Sequence, residues 1–180
     1  MSTKTLLTAD ELEQMPDDDS VRTELDEGEL ITMPPTGLDH GYRENEIGSI
    51  LRAYVKRNRL GRVYSGEPGF RLGQTTVRAP DVAFVRQRRL EELGNRGFAK
   101  GAPDLAVEIF SPSDPVPQLM RKTKQYFVAG CHTVWIVYPE TREIHVLEAS
   151  GTDRILRDTD LMEAPELLPG FSIPIAEFFE

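Results

Sequence analysis

At 180 residues, 39% hydrophobic and 28% charged, the chain is long enough for one globular domain with a substantial core and short for two. Its single cysteine, Cys131, excludes an intrachain disulfide and fits a reducing compartment, so the expected location is cytoplasmic. The first residues lack the apolar stretch of a signal peptide, and no later apolar run approaches the length that crosses a bilayer, so no membrane partner is expected. A formal net charge of −9 argues at first against a nucleic-acid partner, because phosphate binding rests on Lys and Arg. The distribution of charge weakens that objection: residues 1–30 carry ten acidic and two basic groups, residues 158–180 six acidic and none basic, and residues 31–157 are left with a net +5. A basic middle between acidic ends can present one positive face, although uneven charge is also common on solvated surfaces.

In chain order, Thr8 followed by Glu11 is a capping-box spacing that predicts a short helix over Ala9–Met15, ended by Pro16 and the acidic run Asp17, Asp18, Asp19. Thr23–Leu25 and Leu30–Met33 flank Asp26-Glu27-Gly28 and predict a tight hairpin, after which Pro34, Pro35 and Gly37 break the strand. From His40 to Leu60, the residues Ile47, Ile50, Leu51, Tyr54 and Val55 recur at helical spacing, and Gly61 is a natural stop. Arg52, Lys56, Arg57, Arg59 and Arg62 cluster at the end of this helix, where they either touch a phosphate backbone or complement the helix dipole. Val63-Tyr64, Phe70–Leu72, Val82–Val85, Leu105–Phe110 and Val134–Tyr138 are β-rich runs that read as strands of one sheet. A short helix is expected around Arg88–Leu93, a second major helix over Leu119–Ala129 closed by Gly130, a hairpin joining Glu143–Glu148 to Arg154–Leu156, and a last short helix over Ile175–Phe179. The order suggests an α+β or α/β sheet sandwiched by helices.

Glu108 interrupts the apolar run Leu105–Phe110, where a buried carboxylate must be neutralised, hydrogen-bonded or bound to a cation. Asp81 follows Pro80 at the start of Val82–Val85, a strand able to pair beside that of Glu108. Two carboxylates meeting at one edge form a hard-oxygen site suited to Mg2+ or Mn2+. The bland alternative is that Pro80-Asp81 is a turn and Glu108 faces solvent on an edge strand. The helix that follows carries Arg121, Lys122 and Lys124, any one of which can point back at the carboxylates or simply be solvated. Lys122 and Lys124 lie about 200° apart around a helix, so they cannot both face the site.

The ordered motifs Glu24-Leu25-Asp26-Glu27-Gly28-Glu29-Leu30, Pro34-Pro35-Thr36-Gly37 leading to His40, Pro80–Val85, Asp104–Ile109 with Ser111-Pro112-Ser113, Lys122 to Tyr126, Ala129-Gly130 and Val134–Val137 with Pro139 span nearly the whole chain. In these the sequence resembles the Uma-type endonucleases, a bacterial branch of the PD-(D/E)XK nuclease superfamily. The resemblance implies a single restriction-endonuclease-like domain over residues 1–180, α/β (α+β), with a mixed sheet flanked by helices. An N-terminal helix and β-hairpin extension would occupy about 8–33, the nuclease core about 40–148 and a C-terminal extension about 149–180. It implies a metal-dependent endodeoxyribonuclease that hydrolyses DNA phosphodiester bonds with Mg2+ (or Mn2+). The first metal-binding acid maps to Asp81, the second to Glu108, and the main-chain carbonyl of Ile109 is the usual third ligand. The superfamily's lysine lies two residues after the second acid, a place held here by Phe110, so its role passes to Lys122, four residues ahead of Tyr126.

His40 matches a family histidine and can contact the scissile phosphate or a metal, or make only a local hydrogen bond. Glu24 also matches, as an outer metal ligand or, the preferred reading, as a surface hairpin carboxylate. Glu44 and Glu46 are candidates for an acid on the first helix, and Arg52, Lys56, Arg57 and Lys124 for contacts to the DNA backbone. Cutting two strands suggests a homodimer. The rival readings are a non-catalytic nucleic-acid- or protein-binding module on the nuclease fold, and a small metal hydrolase acting on something other than nucleic acid. Nucleophile-elbow, phosphate-loop and zinc-protease motifs are absent from the sequence, and Cys131-His132 is adjacent without forming a dyad. Trp135, flanked by Val134 and Ile136, reads as a core residue in preference to a platform for a base.

Overall fold

The computed structural model describes residues 6–16, 21–66, 68–94, 96–112 and 115–180, so the expected acidic run Asp17 to Asp19 and Ser113 lie outside the described residues. Helix α1 (Ala9–Glu13) starts at the expected capping box: Thr8 Oγ1 accepts from the Glu11 amide at 3.2 Å, and Glu11 Oε2 accepts from the Thr8 amide at 2.7 Å. Strands β1 (Arg22–Asp26) and β2 (Glu29–Met33) form the predicted hairpin. Glu27 and Gly28 turn it with φ of 50° and 93°, the two left-handed positions of a primed turn.

Helix α2 (Leu38–Asn58) buries Ile47, Leu51 and Val55. It ends at Arg59, whose φ of 55° makes the left-handed cap expected of Gly61. Gly61 instead opens β3 (Gly61–Ser65) against Val85, where an added Cβ would sit 2.0 Å from the Val85 carbonyl oxygen. There follow β4 (Phe70–Gly73), β5 (Thr76–Arg78), β6 (Val82–Arg86), a 3-10 turn at Gln87–Arg89 running into α3 (Leu90–Leu93), β7 (Ala99–Lys100) and β8 (Leu105–Ile109). Helix α4 (Val116–Val128) crosses to β9 (Thr133–Tyr138), and β10 (Glu143–Glu148), β11 (Asp153–Leu156), β12 (Leu161–Ala164), β13 (Leu168–Pro174) and a 3-10 turn at Ile175–Phe178 complete the chain.

Among the described residues, two larger sheets and one hairpin form, so the expectation of a single sheet is corrected. The six-stranded sheet runs β11-β10-β9-β8-β6-β3, with β8 and β9 parallel across α4 and its other pairs antiparallel. Phe70–Leu72 leaves it for a five-stranded sheet, β2-β1-β5-β4-β7, which also takes in the N-terminal hairpin. The short strands Thr76–Arg78 and Ala99–Lys100 make that second sheet possible, and neither carries an alternating apolar pattern that would announce it.

The six-stranded sheet sorts its side chains by the period-two rule. On one face Leu105, Val107 and Ile109 join Ile47, Leu51 and Val55 of α2, roofed by Met162, Leu168, Phe171 and Phe178 from the C-terminal hairpin and turn. Trp135 lies wholly inside this core, edge-on to Phe178 at 6.1 Å, as expected of a core residue. On the other face Ala106, Val134 and Ile136 meet Leu119 and Tyr126 of α4. Glu108 shares the parity of Ala106 and therefore faces α4. None of the described helices is long and apolar enough to cross a membrane.

Candidate active site

Strands β6 and β8 pair antiparallel with Val82 opposite Val107, and continuing that register by one residue sets Asp81 opposite Glu108 at the end of both strands. Both carboxylates are buried, at 3% and 6% exposure. They line a cleft of about 340 Å³ together with His40, Ile109, Lys122 and the hairpin residues Arg22, Glu24 and Asp26.

Asp81 Oδ2 accepts the Ile109 amide at 2.6 Å, while Oδ1 lies 3.2 Å from His40 Nε2 and 3.6 Å from Arg22 Nη2. Burial opposes its ionisation, but the contact with His40 and the charge of Lys122 outweigh it and hold the Asp81 carboxyl below its ordinary range. Glu108 is engaged at both oxygens: Lys122 Nζ donates to Oε2 at 2.8 Å and Tyr126 Oη donates to Oε1 at 2.8 Å. Desolvation nevertheless pushes its pKa up to about 7, with Asp81 and Glu24 adding repulsion against the opposing pull of Lys122. Lys122 in turn is held protonated, since Glu108, Glu24 and Asp81 overcome the cost of its own burial.

Lys122 reaches the site from α4, and its neighbour Lys124 is exposed on the opposite side of that helix. The helix is held down by Leu119 and Tyr126 in the core and by Gln125, which accepts from Arg78 Nε at 2.8 Å and donates to Asp26 Oδ1 at 2.8 Å. Glu24 is not a surface carboxylate. At 3% exposure it accepts from Lys122 at 2.9 Å, from Arg78 Nη1 at 2.9 Å and from the Ala79 amide at 2.9 Å. The hairpin reading fails because β1 is an inner strand of the second sheet, between β2 and β5, and the parity of Glu24 and Asp26 turns both toward α4. Arg78 and Tyr126 are partners the sequence did not single out for roles; Arg78 sits on a three-residue strand with no pattern to flag it.

Four carboxylates, Glu24, Asp26, Asp81 and Glu108, thus face the cations Arg22, Arg78 and Lys122, with Arg121 at 3.4 Å from Asp26. The donors for a cation are also present. His40, Glu44 and Asp81 each bring one ligand atom within 4.8 Å of the others, and His40 Nε2, buried at ion-pair distance from Asp81, has no hydrogen-bond partner of good geometry. Glu44 also accepts the Gly66 amide at 2.6 Å, which fixes the loop after β3 against α2. Glu46, half-buried, stands outside this group. Ile109 lines the cleft and its amide is committed to Asp81. Arg52, Lys56, Arg57 and Lys124 do not line the cleft.

The family described as "Uma2: Putative restriction endonuclease" matches residues 9–176 of the chain. Among solved structures, that of "a putative nuclease belonging to DUF820" from Anabaena variabilis ATCC 29413 superposes with a TM-score of 0.80 at 20% sequence identity, covering 96% of this chain and 97% of that one. At that identity the likeness is one of fold: a mixed α/β arrangement of sheets flanked by helices. No curated protein matches the chain.

Proposed function

The chain belongs to the Uma2 family, and on that premise we propose that it is a divalent-metal-dependent endodeoxyribonuclease that hydrolyses DNA phosphodiester bonds at the cleft formed by Asp81, Glu108 and Lys122. The observation that carries this reading is the convergence of two buried carboxylates from paired strands with a buried ammonium from α4 in one cleft. Asp81 and Glu108 would hold the cation with the main-chain oxygen of Ile109, and His40 and Glu44 extend the donor set beside Asp81. An imidazole among carboxylates suits Mn2+ at least as well as Mg2+. When bound, the ion supplies positive charge to a phosphoryl oxygen and lowers the pKa of water.

The protein's own groups do the rest. Lys122 holds its charge beside the place where negative charge develops on the phosphate, and its contacts to Glu108, Glu24 and the Ala79 carbonyl (2.8, 2.9 and 3.3 Å) fix its position in advance. Arg22 adds positive charge at the same edge of the cleft, which draws an anionic substrate toward Asp81.

A second reading has its own support, since both oxygens of Glu108 are already bonded to Lys122 and Tyr126, as a purely structural carboxylate would be. On that reading the chain is a nucleic-acid- or protein-binding module without turnover. Cleavage of supercoiled plasmid with Mg2+ and with Mn2+ separates the two, comparing wild type with Asp81→Asn, Glu108→Gln and Lys122→Ala. Chelator-sensitive nicking by the wild type alone supports the nuclease. Identical behaviour of all four proteins refutes it, and linear product without a nicked intermediate adds paired cutting by a dimer.

A further inference from the structure

We infer that the outer face of α2 is a track for the phosphate backbone of duplex DNA flanking the cut, an inference that rests on DNA being the substrate. Along this helix Tyr42, Asn45, Ser49, Arg52 and Lys56 recur at spacings of three and four, and Arg59 extends the line. Of the three acids of the helix, Asp39 pairs with Arg43, Glu44 turns toward Gly66, and Glu46 borders the stripe beside Tyr42 and Ser49. The second half of the stripe, from Ser49 to Arg59, carries no acid of the helix, in a chain whose net charge is −9.

At its far end the stripe becomes cationic. Arg52, Lys56, Arg59 and Arg62 line one groove of about 600 Å³ between α2 and the edge strand β3, over a floor of Val55, Val63 and Tyr64. All four are exposed, and none forms an ion pair with a described residue. Elsewhere arginines such as Arg71, Arg78, Arg86, Arg89 and Arg142 are each held by a carboxylate. Four cations without an ion-pair partner among the described residues repel one another, and a polyanion relieves that repulsion while releasing its own counterions. The helix dipole favours Lys56 and Arg59 at the end of α2 but not Arg52, more than a turn earlier, or Arg62, beyond the helix in β3.

The length of α2 sets the scale of the separation between the cut and the contact. His40, beside Asp81, stands near the start of α2, and Arg52 and Lys56 lie twelve and sixteen residues further on, about 18 and 24 Å along the axis. At about 3.4 Å per base pair that is roughly five to seven base pairs from the scissile phosphate. Arg52 and Lys56 also lie about 120° and 160° round the helix from His40, so the flanking duplex passes over the side of α2 before the groove grips its backbone. Such contacts add affinity and orientation but no sequence preference.

The test replaces Arg52, Lys56, Arg59 and Arg62 together by Gln and measures binding to a duplex of about 24 base pairs in chelator, where no cleavage is required. The expected result is a loss of affinity of at least about tenfold at 0.1 M salt and a salt-dependence slope shallower by about 3 to 4. A companion variant with Arg52, Arg59 and Arg62 changed to Lys retains the slope, because the contacts are to charge. In cleavage, the preference for duplexes of about 24 over about 8 base pairs in kcat/KM collapses in the Gln variant. Unchanged affinity and slope in a folded Gln variant overturn the inference and leave these cations to an acidic protein surface. Equal losses on long and short duplexes overturn it too, by placing the contact at the cut itself. Since the binding arm reads DNA contact without turnover, a protein that binds through α2 but never cleaves refutes the nuclease reading and not this one.

Discussion

Replacing Lys122 by Ala removes the ammonium that Glu24 Oε1 and Glu108 Oε2 share at 2.9 and 2.8 Å, and leaves Glu108 with Tyr126 alone to offset its burial. Lys122 is 12% exposed and its partners 4% and 8%, so solvent screens the pair weakly. Breaking a buried pair of this kind costs about 3–5 kcal/mol, which in a domain of this length lowers Tm by roughly 6–20 °C. The loss depends on pH, and its sign follows from Glu108. That carboxyl titrates near 7 in the wild type instead of near 4.5, and Lys122 is the group that pulls it down, so its removal raises the value further. A folded-state pKa above the unfolded one contributes stability that is present below the unfolded value and disappears as pH rises through the folded one. The deficit of Lys122→Ala is therefore largest at pH 8 and shrinks toward pH 5.5, where Glu108 carries a proton. Mn2+ at pH 8 restores part of it by supplying the missing positive charge. Thermal melts of both proteins across this range, in chelator and then with Mn2+, measure the effect. A deficit of equal size at pH 5.5 and 8 refutes the account of Glu108 as the charge that Lys122 offsets.

Three further perturbations probe other parts of the structure. Tyr126→Phe removes the hydroxyl that donates to Glu108 Oε1, a charge-assisted bond of about 1.5–3 kcal/mol, and shifts the acid limb of metal-stimulated activity upward by about one pH unit or more, read from a pH–rate profile. Thr8→Ala breaks the capping box of α1 and costs about 1 kcal/mol, seen as a fall in Tm of about 2–4 °C with no change in cleft chemistry. Cys131 is buried and its thiol is pushed up to about 12 by desolvation, so it resists alkylation at pH 8 in the native protein and labels only as the chain unfolds, which mass spectrometry can follow against denaturant.

What the sequence discloses about the site follows from periodicity. A carboxylate inside Leu105–Phe110 and another just before Val82–Val85 are visible because each interrupts or heads an apolar run, and strand parity alone then turns Glu108 to the face of Ala106. Helical spacing separates Lys122 from Lys124 in the same way. Glu24 is the instructive failure. In the sequence it belongs to a short hairpin with charged residues on either side, the profile of a solvent-facing strand. Its burial depends on β5, three residues long, and on Arg78, which lies 54 positions away and neutralises it at 2.9 Å. No local pattern encodes a pairing of that range, and the same limit hid the division of the strands into two sheets. The C-terminal roof was missed for a related reason: Leu168–Pro174 contains Pro169 and Gly170, which read as breakers, while Tyr54 Oη donates to the Pro169 carbonyl at 2.6 Å and seats the strand on α2.

The placement of Lys122 on α4 has a consequence for how this site is stabilised. A lysine two residues after Glu108, just past β8 where the Phe110 amide still bonds Val137, would be positioned by the sheet, but a helix-borne lysine is only as well placed as the helix. Here α4 is fixed from two sides: Leu119 and Tyr126 pack on the six-stranded sheet, while Gln125 and Arg121 reach to Asp26 of the second. Glu24 and Arg78 complete that second attachment, with Glu24 bonded at once to Arg78 and to Lys122. The N-terminal hairpin thus supplies buried charges that hold the lysine in place. An isolated core beginning near residue 40 would lose Arg22, Glu24 and Asp26 together, and with Glu24 a direct partner that holds Lys122 at 2.9 Å.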